Sequence, residues 1–168
     1  MRRRRPDRRI PAGEDAPGDE AGWRLVALRL LNRRDHCAAE LAARLVERGA
    51  EAAQAEAVVA KLVSERFVDD ARYAEHYVAA HAERGQGPLR IAQELAGRGM
   101  APDIVEAAVA SRDEAWKARC VALRRRRFGD AVPAEWAERA RQARFLQYRG
   151  FSADQVRAAL GRDVELEG

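Results

Sequence analysis

The chain has 168 residues, with 31 lysines and arginines against 27 aspartates and glutamates, for a net charge of +4. Alanine, leucine, arginine and glutamate dominate, aromatic residues are 6 % of the total and β-branched runs are absent, which favours helix throughout. No run of about 18 apolar residues would span a membrane, and no apolar segment follows the arginine-rich start as a secretory signal requires. Cys37 and Cys120 lie far apart without CxxC spacing and read as ordinary thiols of a reducing cytoplasm. A soluble, intracellular helical protein is the expectation.

Residues 1–22 run through Arg2–Arg5, Pro6, Pro11, Gly13 and Pro17 with almost nothing apolar, so a disordered tail is expected. A solvated leader is the simpler reading of it, a nucleic-acid-binding arm the other. Helical periodicity begins at Trp23, with Val26, Ala27, Leu30 and Leu31 on one side. A second helix is predicted from about Cys37 to Arg48, stopped by Gly49 as a left-handed cap. A third, from about Glu51 to Ser64, turns Ala55, Val58, Val59 and Leu62 inward.

A turn follows at Phe67-Val68-Asp69-Asp70, with Asp70 the candidate N-cap of the next unit's first helix, which carries Tyr73, Tyr77 and Val78. Gly87-Pro88 starts the next helix, with Ile91 and Leu95 apolar and Gly99 closing it. Pro102 opens another, carrying Ile104, Val105, Ala108 and Val109. The last unit has a helix from about Asp113 to Arg127 with Trp116, Cys120 and Leu123 inward. A helix from Pro133 follows, with Trp136, Ala140, Ala143 and Leu146 as its apolar stripe and Gly150 as its stop. Ser152 and Gln155 have capping-box spacing before Val156, Ala159 and Leu160. Trp23 and Trp116 open their units in equivalent places.

These nine helices fall into three groups of three. Each group contains an Arg-Gly pair, at 48–49, 98–99 and 149–150. Leu45, Leu95 and Leu146 stand three residues before the arginine; Ala55, Val105 and Val156 stand seven after it; Val59, Val109 and Leu160 stand eleven after it. Such a period marks a repeat protein whose units bury faces against one another. The fold class is therefore all-α: three tandem three-helix repeats, residues 23–68, 69–111 and 112–168, in an elongated, curved solenoid-like array. Net charge follows the repeats, at +2, −3 and +4 in that order, with +1 on the tail. Positive outer repeats suit a charged partner such as nucleic acid or a nucleoprotein. Only Lys61 and Lys117 are lysine, however, and an arginine bias beside so much alanine also fits genome composition.

Leu28-Arg29-Leu30-Leu31 with Arg34-Asp35-His36 and Glu40-Leu41 resembles the opening of the RecX family of bacterial RecA regulators. Phe67 to Ala74, Gly85 to Ile91 with Glu94-Leu95 and Arg98-Gly99, and Arg144-Phe145-Leu146 with Arg149 to Ser152 and Val156 resemble its later signatures in order. The resemblance covers roughly residues 24–162. It implies a helical regulator without catalytic activity that binds the RecA filament on single-stranded DNA, typically along its groove. Such a protein restrains filament growth and the ATPase, strand-exchange and coprotease activities. A rigid array touching several protomers would sum many weak contacts. One departure is Cys37, where the family usually has a helix-capping serine. Its cost is about 1 kcal/mol at most, and it leaves the helix start to fray or move to Asp35.

No active-site constellation is found. His36, His76 and His81 form no HExxH, the cysteines make no zinc quartet, and no cofactor is implied. Gly85-Gln86-Gly87-Pro88 lacks the Lys-Ser/Thr of a P-loop and reads as helix punctuation; Asp69-Asp70 reads as a cap rather than a metal pair. The candidate partner-binding residues are Arg124, Arg125, Arg126 and Arg127, with Arg141, Arg144 and Arg149 in the same unit and Arg33 and Arg34 at the other end. At least two of the four consecutive arginines must face solvent, either as a docking patch or as a solvated helix end. Arg149 has the second reading of a structural arginine, like Arg48 and Arg98. The aromatic residues are read mostly as core. Two rivals stand beside the RecA reading: a helical module binding nucleic acid directly, and a generic helical adaptor. The acidic middle repeat, and the absence of a base-reading face between aligned arginines, speak against the first. Direct DNA contact stays open, no membrane partner is expected, and a monomer is.

Overall fold

A computed structural model describes residues 19–110 and 112–161, and every described element is helical. Two compact units divide at Val68. The first contains α1 (Glu20–Leu31), α2 (Ala38–Val46) and α3 (Ala52–Ser64). The second contains α4 (Asp70–Glu83), α5 (Pro88–Ala96), α6 (Pro102–Ala110), α7 (Asp113–Phe128), α8 (Trp136–Tyr148) and α9 (Ala153–Leu160). The all-α class and the three groups of three helices stand as the sequence analysis expected.

In each group the third helix packs on both others: α3 on α1 and α2, α6 on α4 and α5, α9 on α7 and α8. The recurring apolar positions explain this. Leu45, Leu95 and Leu146 are fully buried, as are Ala55 and Val156, and Val59 and Leu160 close the same seam. Trp23 and Trp116 are both buried. Burying a Leu- or Val-sized side chain stabilises by about 1.5–3 kcal/mol, so the repeated positions add to each unit's cohesion, in the first unit beside Leu41, Val58 and Leu62. Gly49, Gly99 and Gly150 take φ of 103°, 78° and 91°, the left-handed region that glycine enters without a Cβ penalty.

Several boundaries differ from expectation. Residues 1–18 of the expected tail lie outside the described residues, but 20–22 belong to α1. Asp19 caps that helix by accepting from Gly22 N at 3.0 Å, which places its start three residues before the apolar periodicity. Helix α2 starts at Ala38 with Cys37 in the cap position; the start has not moved to Asp35, because the Cys37 side chain is buried in the unit. The cap of α4 is Asp69, which accepts from Arg72 N at 3.0 Å, and Asp70 is the first helical residue. α8 starts at Trp136, not Pro133. Arg124 and Arg139 hold the carbonyls of Asp130, Ala131 and Ala134, which ties the preceding segment down as a loop. The helices before the three glycines also end earlier, at Val46, Ala96 and Tyr148.

Within the second unit the repeats meet head to tail. Gly87 N donates to Arg149 O at 2.7 Å and Leu89 N to Gly150 O at 3.0 Å, so the free N–H groups opening α5 satisfy the free carbonyls closing α8. The approach is close enough that a Cβ on Gly87 would sit 2.3 Å from the Gly150 carbonyl carbon. A Cβ on Gly150 would sit 2.3 Å from Arg90 Cβ.

Candidate functional site

The nine candidate arginines separate by environment. Arg124 is buried: its Nη1 donates to Ala131 O at 2.9 Å and its Nη2 to Asp130 O at 2.7 Å. It is therefore a structural residue and leaves the contact set. Arg125, Arg126 and Arg127 are exposed, in keeping with the rule that a full turn cannot all face inward. Arg125 Nε stands 3.9 Å from Asp130 Oδ1. In the first unit, Arg33 is exposed and Arg34 is tied to α2 through Glu40 Oε1 at 2.5 Å.

Helix α8 gathers the rest. Arg141, Arg144, Phe145, Tyr148 and Arg149 occupy i, i+3, i+4, i+7 and i+8, one face of the helix, and all are exposed or half-buried. Phe128 from the end of α7 meets Phe145 edge to face at 5.3 Å. Arg141 lies 5.3 Å from the Phe128 ring centre, Arg127 lies 5.9 Å from it, and Arg149 lies 5.3 Å from Phe145. Arg90 from α5 approaches Tyr148 at 5.7 Å. The result is a surface of alternating rings and guanidinium groups, each within cation–π range.

Charge on this surface is uneven. Arg141 is bidentate on Glu138, at 2.8 and 2.7 Å, and this bond with a second from Gln142 holds the Glu138 carboxyl down at about 2. Among the described residues, Arg127, Arg144 and Arg149 have no carboxylate within ion-pair distance. Those three cations are available to a ligand.

Beside it lies a second network. Tyr73, Tyr77 and His81 form a stacked row along α4, with ring centres 6.1 and 3.8 Å apart. Glu94 of α5 accepts from Tyr77 Oη at 2.7 Å, Gln86 Nε2 at 3.1 Å and Arg90 Nε at 3.0 Å. Burial alone would raise the Glu94 carboxyl, but the Tyr77 and Arg90 bonds outweigh it and keep it ionised below the usual range. Arg98 lies over Tyr77 at 5.0 Å and Arg48 donates to Arg44 O at 2.8 Å. The repeat arginines therefore pack on their own units, and Arg149 does so through Phe145.

Sequence reasoning missed the ring–cation surface. The spacing of residues 141–149 carries its signal, but by sequence the aromatic residues read mostly as core. Trp23, Trp116 and Phe151 are core, whereas Tyr148 is 76 % exposed and Trp136 is 62 % exposed, outside the stripe expected for it. Neither cysteine is a nucleophile: both are buried, and burial pushes the Cys120 thiol up to about 12. No group of His, Cys, Asp and Glu among the described residues is arranged to hold a metal ion, and no described helix is long and apolar enough to cross a membrane.

Three family models match the chain in order: the first RecX three-helix domain at residues 24–62, the second at 69–109 and the third at 115–160. A protein named "Regulatory protein RecX" from Halorhodospira halophila (strain DSM 244 / SL1) is 48 % identical over 134 residues, covering 80 % of this chain and 83 % of the relative. One of the same name from Pseudomonas fluorescens is 38 % identical over 143 residues, covering 84 % and 92 %. The crystal structure of RecX from Lactobacillus salivarius shares the fold with a TM-score of 0.74 at 21 % identity, over 83 % of this chain and 93 % of that one. Matched in all three repeats, and over most of their length by relatives named as regulatory proteins, the chain belongs to the RecX family.

Proposed function

We propose that this chain regulates the RecA recombinase. It binds the filament that RecA forms on single-stranded DNA, along its groove, and mostly inhibits filament growth, ATPase, strand exchange and coprotease activity. The observation that carries this reading is the ordered match of all three RecX three-helix domains. The chain acts without catalysis or cofactor, in the cytoplasm, as a monomer. Each of the units 23–68, 69–111 and 112–168 serves as a contact module. Contact to the filament is made by Arg125–Arg127 and by Arg141, Arg144 and Arg149 in the last unit, and by Arg33 and Arg34 in the first.

Two supports come from physical chemistry. Several weak contacts within one chain act together by effective concentration, so a small protein can oppose the relative movement of neighbouring protomers. Exposed guanidinium groups give charge-assisted contacts that are specific in geometry and sensitive to salt. RecA's DNA-dependent ATPase, measured with substoichiometric amounts of this protein, tests the proposal: a lower rate and shorter filaments are expected. An unchanged rate and filament length would remove it.

A further inference from the structure

We infer that the outer face of α8 binds single-stranded nucleic acid by itself, with a base stacked on Tyr148 and phosphates held by Arg127, Arg144 and Arg149. The inference rests on the proposed filament reading for where the face acts; the binding itself needs no RecA.

Four observations combine. Tyr148 is 76 % exposed, so its ring is open to a flat partner. Arg90 stands 5.7 Å from one side of that ring, which steadies it and leaves the rest of its surface open. Arg144 lies one helical turn before Tyr148, about 6 Å along the axis, so a cation and a stacking platform share one stripe. Arg127, Arg144 and Arg149 lack a carboxylate partner among the described residues, so their charge is not already neutralised.

A protein partner fits the same face less well. The central part of a protein interface is depleted in charged residues and enriched in apolar ones, whereas this face is three arginines and two rings with no aliphatic side chain. A duplex fits less well too, because its bases are stacked inside and offer Tyr148 no open π-face. Single strands meet both demands: every base has a π-face and every nucleotide a phosphate. The interleaving of rings and cations is the pattern by which strands are held without regard to sequence.

Fluorescence anisotropy of a labelled oligothymidylate of about 20 nucleotides, with the full chain and no RecA, tests this. Binding is expected at about 50 mM salt, weakened about twentyfold at about 200 mM if three phosphates are neutralised. Tyr148→Ala, an exposed substitution that leaves the fold alone, should weaken binding about fivefold or more. Tyr148→Phe, which keeps the ring, should stay within about twofold. Arg144→Glu should weaken binding and flatten the salt dependence. No oligonucleotide binding at low salt, equal affinity of Tyr148→Ala and the unaltered chain, or duplex bound as tightly as single strand would each overturn the inference. The RecA ATPase run on the same proteins separates the two claims. Regulation that persists without oligonucleotide binding removes only this inference; oligonucleotide binding without any effect on RecA removes only the proposed function.

Discussion

Two residues show how side chains of one type, or one cluster, take opposite parts. Arg124 and its neighbours Arg125–Arg127 are indistinguishable as letters, but Arg124 is buried on two carbonyls and the others are in water. Removing a charged donor from such a site costs about 1.5–3 kcal/mol, so Arg124→Ala should lower the urea midpoint by a corresponding amount. The triple change Arg125–Arg127→Ala should leave it within about 0.5 kcal/mol. The triple variant, not one that includes Arg124, is thus the clean probe of the exposed patch. His36 is the second case. It is buried, with its Nδ1 3.6 Å from Glu40, and burial first, then the Arg34 and Arg44 charges, lower its pKa below 6.5 against the opposing pull of Glu40. The unfolded chain therefore takes up this proton first as pH falls. Its contribution to stability is complete above about pH 6.5 and is lost as pH drops below that value. Thermal unfolding at about pH 7.5 and about pH 5.5 should show a larger fall for the native chain than for His36→Gln; equal falls would assign the acid sensitivity elsewhere.

Among the helices, what was legible is what recurs. The left-handed glycines, the Gly87-Pro88 start and the Ser152–Gln155 cap are local chemistry, fixed within four residues, and the structure has them where the letters put them, although the helices themselves end at Val46, Ala96 and Tyr148, before those glycines. The start of α8 was not legible from Pro133, because the loop before it is held by Arg124 and Arg139 from sites six to seven and five residues away. The α8 surface was half legible: its spacing is plain in residues 141–149, but only packing tells a buried stripe from an exposed one. The joint between α5 and α8 was not legible at all, since it links residues some 60 apart through main-chain atoms. It carries its own prediction. Gly129 and Gly150 both have φ near +90°, but a Cβ on Gly129 meets nothing within 4 Å while one on Gly150 meets Arg90 at 2.3 Å. Gly129, with ψ of 175°, lies where essentially only glycine is found, so Gly129→Ala should cost about 1–3 kcal/mol of backbone strain with no clash. Gly150→Ala should cost its own backbone strain of about 1–2 kcal/mol and about 1–3 kcal/mol more by urea denaturation, since the two helix ends must also part. A total cost of about 1 kcal/mol or less for Gly150→Ala would mean the joint yields freely.

For the whole molecule, charge distribution and family membership together set what regulation should depend on. The repeats carry +2, −3 and +4, so no uniform basic surface runs through the chain, and its pull on a polyanion is concentrated in the last unit. There Arg126 and Arg127, with Arg144 and Arg149, have no carboxylate partner among the described residues and Arg125 has only a long contact to Asp130, whereas Arg34 in the first unit is already bonded to Glu40. Removing already neutralised charge changes little; removing free charge changes encounter and hold. Under the proposed function, Arg125–Arg127→Ala should therefore raise the amount of protein needed for half-inhibition of RecA's ATPase about tenfold at low salt. That difference should shrink toward nothing at about 1 M salt, where the screening length falls to about 3 Å. Arg33→Ala with Arg34→Ala should shift it by no more than about threefold. The reverse order, with the first unit dominant, would move the contact surface to the turn between α1 and α2 and leave the basic turn of α7 as a solvated helix end. Because the triple variant keeps the fold, a loss of inhibition cannot be laid to unfolding, and the salt dependence distinguishes a lost charge contact from a lost apolar one.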